Sequence, residues 1–247
     1  MPRNAFRLLA TASLLLAAPV LAQGASGQVD SFYGSYQEDI PIAAPPFHGI
    51  EPKLSLHYDS SAGNGFVGVG WSLSGFSTIE RASPGKGAPR YDASDIFLLD
   101  GLELVPCKAG SISPSCTSGG THSTKIESFL KIAYNATANT WTTWQKDGTK
   151  SEFAAIYPTA KGTLRWGLSS VADTNGNVVA YSWASDAGLE AYPDSVVYGA
   201  ATVRLYREIR SDPITFAIGA GLGKTSYRLT AIDIGLGGQR TGAYSLA

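Results

Sequence analysis

The sequence predicts an all-β protein built from antiparallel hairpins that form curved sheets. Three observations point there. The chain is rich in Gly (28 residues) and in aromatics (11%), while charged residues reach only 16%, against about 25% in an ordinary globular domain. Such a composition suits strands and tight turns better than helices. Turn signals of the Asp-Gly and Asn-Gly type punctuate the chain about every 8–15 residues, between short apolar runs. No segment after the first 22 residues carries a 3.6-residue apolar stripe. A chain of 247 residues is long enough to bury a substantial core.

Residues 1–22 read as a secretory signal peptide. Arg3 and Arg7 give a basic start, Leu8 to Leu21 form an apolar run, and Val20-Leu21-Ala22 supplies a small-residue cleavage site. The apolar run is shorter than the roughly 20 residues a membrane span needs, and no later stretch is longer. The expectation is export, a secreted product and no stable membrane insertion. Residues 23–35 (QGASGQVDSFYGS) are small and polar and read as a flexible mature N-terminus, with the β domain over 36–247.

The first regular alternation is Lys53-Leu54-Ser55-Leu56-His57-Tyr58, which places Leu54, Leu56 and Tyr58 on one face of a half-buried strand. A turn follows over Asp59 to Gly65. Ile96–Leu99 and Leu102–Val105 flank Asp100-Gly101, a strong hairpin signal. Trp141–Trp144 and Ser151–Phe153 flank a second turn, Lys146-Asp147-Gly148-Thr149. Leu164–Val171 and Val178–Trp183 flank Asp173-Thr174-Asn175-Gly176-Asn177. Further strands are expected at Val196–Tyr198, Val203–Ile209, Ile214–Ile218 and Ser226–Ile234. Residues 124–135 are ambiguous and lean to strand. Thr241–Ala247 starts like another strand, which suggests a fragment of a longer protein.

The motifs that could carry chemistry resolve into turns. Gly219–Thr225 (GAGLGKT) lacks the first glycine of a phosphate loop, because position 218 is Ile218, and a strand-like run follows it. The Asp173–Asn177 turn lacks the later ligands of a calcium loop. His48, His57 and His122 are scattered singly and read as surface residues, so no metal site is expected. No G-x-S-x-G elbow is present. Cys107 and Cys116 enclose a Gly/Ser/Pro-rich loop and, in an exported chain, are expected to pair. Asn135-Ala136-Thr137 fits a glycosylation acceptor, expected unmodified behind a bacterial type of signal. The net charge of −1 gives no surplus to neutralise phosphates, so nucleic acid is not an expected partner. No cofactor is expected.

One longer pattern is specific. Residues 40–105 contain Gly49-Ile50-Glu51-Pro52-Lys53-Leu54-Ser55-Leu56, then Gly63-Asn64-Gly65, then Gly68-Val69-Gly70-Trp71-Ser72-Leu73, then Pro89-Arg90-Tyr91-Asp92 through Phe97-Leu98-Leu99. This resembles the N-terminal domain shared by the Salmonella virulence plasmid B protein and the B components of insecticidal toxin complexes. Over 125–247 the resemblance is looser and is to Rhs/YD-type strand repeats, through Trp166, Tyr181, Pro193–Gly199 and Tyr227-Arg228-Leu229. The Cys107–Cys116 loop looks like an insertion, and family members run far longer.

The resemblance implies a virulence role without catalysis by this chain. The domain would be a shell or scaffold segment of a secreted toxin, part of a β-sheet cocoon around a toxic domain located elsewhere. Its partners would be the remainder of a larger toxin polypeptide or other toxin-complex subunits. The ADP-ribosyltransferase chemistry of the virulence plasmid protein needs a Glu-x-Glu turn, and no two Glu here stand at i and i+2. No catalytic residue is therefore named. The residues expected to matter structurally are Pro52, Leu54, Leu56, Gly70, Trp71 and Arg90, with Gly70-Trp71 letting backbone pass close to packed rings. The alternative is a stand-alone secreted module that binds a surface or a carbohydrate. A third, an enzyme with a site not legible in the sequence, would need perturbed groups converging in a pocket.

Overall fold

The structure is a computed structural model that describes residues 27–30, 34–187 and 189–246. The signal-peptide reading of residues 1–22 lies outside the described residues. A four-stranded antiparallel sheet comes first, formed by β1 (Gln28–Val29), β2 (Tyr36–Pro41), β3 (Ser55–Asp59) and β4 (Trp71–Ser74) in that order. Within the stretch expected as a flexible N-terminus, Gln28 and Val29 pair with Gln37 and Tyr36.

A 13-stranded sheet holds the rest. Its first part is a meander of β5 (Thr78–Ala82), β6 (Ile96–Leu99), β7 (Leu102–Pro106), β8 (His122–Thr124), β9 (Lys131–Asn135), β10 (Thr140–Trp144), β11 (Lys150–Thr159) and β12 (Gly162–Ala172). One short helix, α1 (Pro114–Thr117), lies between β7 and β8. β12 pairs with β11 along one edge and with β5 along the other, at Arg165↔Glu80, Trp166↔Ile79 and Gly167↔Thr78. These pairings close β5 to β12 into a barrel. Beyond Gly167 the same edge of β12 turns to β13 (Val178–Ser185), through Ser170↔Ala180 to Ala172↔Val178. β14 (Ala191–Tyr198), β15 (Ala201–Ala217), β16 (Leu222–Leu236) and β17 (Gln239–Ser245) follow as an open sheet.

Local chemistry sets the turns. Asp100 and Gly101 both take positive φ (47° and 82°), as a two-residue hairpin turn with right-handed strand twist requires. The Asp173 carboxylate accepts the N–H groups of Asn175 and Asn177 at 2.8 and 2.9 Å, together with the Asn177 amide at 2.6 Å. The turn thus uses the oxygens that a calcium ion would need.

Two stretches differ from the sequence reading. Val203–Ile209 and Ile214–Ile218 are not two strands: β15 runs unbroken from Ala201 to Ala217 against β16, with a register shift between Ile209 and Ile214. Arg210 sits in that irregularity with its side chain buried, and a bulge is what lets a strand turn one side chain out of sequence. Residues 124–135 are not one strand either. β8 ends at Thr124, Phe129 takes a positive φ of 60°, and β9 starts at Lys131.

The barrel is filled by rings. Trp141 packs against Phe97 at 4.9 Å, Tyr134 at 4.7 Å and Trp166 at 6.1 Å between centroids. Trp166 donates its indole N–H to the backbone and side-chain oxygens of Asn139, both at 3.0 Å. The open sheet instead buries mainly aliphatic residues, among them Val179, Val196, Val203, Leu205, Ile232 and Ile234. These share one core with Ile42, Leu54, Leu56, Val67 and Phe76 of the small sheet and its loops.

Candidate functional site

A concavity lies where the barrel, the open sheet and the small sheet meet. It is a cleft of 380 Å³ lined by Phe66, Trp71, Phe76, Trp183 and Tyr192, with Glu80, Arg165 and Glu190 at its polar end. β12 and β5 carry Arg165 and Glu80 as direct cross-strand partners, and Glu190 stands just before β14. Arg165 Nε donates to Glu80 Oε2 at 2.8 Å, and Arg165 Nη1 donates to Glu190 Oε1 at 2.7 Å. Burial opposes the charge on Arg165, but the carboxylates of Glu190 and Glu80 more than offset it and hold its pKa above the ordinary value. Glu190 also accepts the Ala191 N–H at 2.9 Å.

The nearby phenols are equally committed. Tyr157 donates to Leu189 O at 2.5 Å and Tyr198 to Pro45 O at 3.0 Å. Burial pushes both up to about 12, so they remain protonated donors at neutral pH. The polar groups of the junction spend their bonding capacity on one another, which fixes how the three parts sit together. Among the described residues, no group of three His, Cys, Asp or Glu stands close enough to hold a metal ion.

Of the residues singled out from sequence, five gather in the small sheet and its approach. Pro52 is buried, and Leu54 and Leu56 are only 3% and 5% exposed. Gly70 has φ +77°, and a Cβ there would stand 2.6 Å from Tyr58 Cε2. The backbone therefore passes against a packed ring that only glycine admits. Trp71 is paired with Tyr58 in register, with ring centroids 5.1 Å apart. Its ring is only half-buried, because the other side forms a wall of the cleft.

Arg90 lies apart from this group. Its side chain is exposed, and its backbone N–H donates to Asp95 at 2.9 Å. The neighbouring Tyr91 does the packing: its hydroxyl donates to Ile218 O at 2.7 Å, and Arg81 stacks over its ring at 5.6 Å. Cys107 and Cys116 form a disulfide.

His122 is not a loop surface residue. It begins β8 and packs its ring on Trp141 at 4.8 Å, and burial pushes its pKa down to about 4. Arg210 was invisible as a site residue. Its guanidinium donates to Gly65 O at 3.0 Å, Asn64 Oδ1 at 2.7 Å and Asp212 at 3.1 Å, clamping the 60–70 loop to the open sheet. The Arg210 hydrogen bonds, with that of Asn64, hold the Asp212 carboxyl down to about 2. The one sequence signal for this clamp is Pro213, which follows Arg210-Ser211-Asp212 between two strand-like runs and marks a bulge.

Comparison with known proteins agrees with this architecture. Residues 30–198 match the family model described as Salmonella virulence plasmid 65kDa B protein. The mono(ADP-ribosyl)transferase SpvB of Salmonella typhimurium is 43% identical over 77 residues, which cover 31% of this chain and 12% of that protein. The match thus spans a small part of the curated relative's length. Among solved structures, the Photorhabdus luminescens Tc holotoxin pore superposes with a TM-score of 0.70 at 18% identity, covering 85% of this chain and 13% of that one. The TcdB2–TccC3 crystal structure gives 0.69 at 18% identity, over 85% of this chain and 14% of that one. The N-terminal domain of SpvB from Salmonella typhimurium strain LT2 gives 0.63 at 19% identity, over 79% of this chain and 86% of that domain. At those identities the likeness is one of fold. The match to the family model, which runs from the small sheet through the barrel to β14, shows that the chain belongs to the Salmonella virulence plasmid 65kDa B protein family.

Proposed function

We propose that this chain is a non-enzymatic shell segment of a secreted bacterial toxin, enclosing or presenting a toxic domain that lies outside these residues. Export by a signal peptide over residues 1–22 is part of the reading, and the Cys107–Cys116 disulfide supports an oxidising destination. The polar groups at the junction are engaged with each other, as a structural joint requires. The same fold in polypeptides of which this chain covers 13–14% supports a role as one part of a larger assembly.

The observation that carries the proposal is the open edge of β17, the last strand of the sheet, which pairs with β16 alone among the described residues. The Leu246 N–H donates to Thr230 O on β16. By the two-residue period of a strand, Tyr244 and Gly242 also face β16, whereas Ala243 and Ser245 present N–H and C=O outward. A row of unpaired backbone groups is a template for a further strand. Hydrogen exchange on the chain at low concentration tests this directly. The Ala243 and Ser245 amides should exchange freely while those of Gly242 and Tyr244 are protected. Equal protection of all four would mean that the edge is already satisfied, and would remove the attachment point.

A further inference from the structure

The barrel has one weak seam. β8 and β9 share a single register pair, His122↔Ile132, where the other neighbouring strands of the ring have three or more. The gap is bridged by a side chain from outside the ladder. Ser115 on α1 is fully buried, at 0% exposure. Its Oγ accepts the Ile132 N–H at 2.9 Å and donates to His122 O at 2.5 Å. The adjoining backbone follows: Gly120 N–H donates to Ser115 O, Thr121 N–H to Ile132 O, and Tyr134 N–H to Thr121 Oγ1.

Beyond its own hydrogen bonds and the Ser113 and Ser118 caps of α1, Ser115 is tied to the barrel by the neighbouring disulfide. α1 is four residues long and buries only Ser115, and a helix that short has no stability of its own. The loop leading to it is polar, and its one large apolar residue, Ile112, is 91% exposed. Cys116, next to Ser115, is bonded to Cys107, whose N–H is tied to Thr121 O at 2.8 Å just past the end of β7. Both cysteines are partly exposed. Directly behind the seam lie Ile132 and Trp141, both fully buried, and Trp141 Nε1 has no hydrogen-bond partner.

We propose that the Cys107–Cys116 disulfide is a redox latch on the β8–β9 seam. A small-molecule thiolate attacks one sulfur, forms a mixed disulfide and releases the other cysteine as a thiolate, which takes up a proton. A second thiol equivalent, intramolecular in dithiothreitol, cleaves the mixed disulfide. Two electrons and two protons enter the protein, and the reductant leaves as its disulfide. With both cysteines free, α1 lifts away, Ser115 leaves the ladder, and the barrel opens at that side toward the Trp141 ring. The β15–β16 hairpin is outside the latch and keeps its structure. The shell function does not depend on this latch.

The test is amide exchange on the full chain, oxidised and after dithiothreitol. Reduction should speed exchange at Thr121, Ile132 and Tyr134 by about tenfold or more while leaving Val203 and Ile232 unchanged, the pattern of a local opening. A uniform acceleration would make the disulfide a global staple, and no change would make it a bystander; either overturns the proposal. Ser115→Ala with the disulfide intact gives an independent reading. Faster exchange at Ile132 is expected, and an unchanged rate would show that the hydroxyl does not hold the seam.

Discussion

The barrel of β5 to β12 and the open sheet of β13 to β17 are made of the same hairpins but solve the edge problem differently. In the barrel every strand has two neighbours, because β12 pairs with both β11 and β5. The interior is filled by a cluster of Trp, Tyr and Phe rings. The open sheet has no such closure. One face is covered by the small sheet, and it is held there by side-chain pegs: the Tyr244 hydroxyl between Pro41 O and Ala43 N–H, the Tyr198 hydroxyl on Pro45 O, and the Arg210 clamp on the 60–70 loop. The barrel thus closes its own ladder, while the open sheet leaves the outer edge of β17 unpaired among the described residues.

The largest expected effect separates the two regions. Trp166→Ala removes a fully buried ring and both indole hydrogen bonds to Asn139, and should cost about 3–5 kcal/mol in urea unfolding. A loss under about 1 kcal/mol, the range of surface changes, would refute the ring-filled barrel. Arg210→Ala should cost about 1–3 kcal/mol, since it removes the hydrogen bonds of a buried guanidinium to Gly65 O, Asn64 and Asp212. Its signature is regional. Exchange should rise at Leu229, whose N–H donates to Phe66 O, and stay unchanged at Trp166 in the barrel. Trp71→Ala should fall below Trp166→Ala, at about 1–2 kcal/mol, because half of that ring already faces the cleft. A cost equal to that of Trp166→Ala would mean that the cleft is closed in solution.

At neutral pH the smallest effect is titration, although it grows as the pH falls. The folded state holds His122 neutral, with its pKa near 4 against 6.5 when unexposed to burial. Depression of a histidine pKa makes stability complete above about pH 6.5, with a progressive loss as pH falls to about 4, because the unfolded state takes up the proton first. The groups set around this ring are Thr121 Oγ1, at 2.9 Å from Nδ1, and the Phe97 and Trp141 rings, none of which stabilises the charge by a salt bridge. The urea midpoint should drop across that window, and His122→Phe should flatten the drop. An unchanged slope in the variant would place the acid sensitivity elsewhere.

The pairings that can be read from sequence are those made by neighbours. Asp100-Gly101 and Asp173–Asn177 announce their hairpins because the turn conformation is encoded in the turn residues themselves. Ring closure through Arg165↔Glu80 joins residues 85 positions apart, and no local pattern signals it. Period-two reading split β15 at Arg210 because a buried arginine looks like a polar break until its partners on the 60–70 loop are in place. Gly70 was legible as a close approach, since only a missing Cβ explains glycine beside Trp71. At Arg90 the sequence pattern marks the turn, while the side-chain packing falls one residue later, on Tyr91. The Ser115 plug was not legible at all, since a serine in a Gly/Ser loop carries no sign of the seam it fills.

We propose β17 as an attachment edge for the rest of a shell. Sedimentation velocity of the chain without residues 1–22, over a range of concentrations, tests it most directly when paired with Ala243→Pro, which removes an outward N–H and leaves the bonds to β16 intact. The unmodified chain should associate with rising concentration, and the variant should remain a monomer. An unmodified chain that stays monomeric throughout, or a variant that associates equally well, would contradict it.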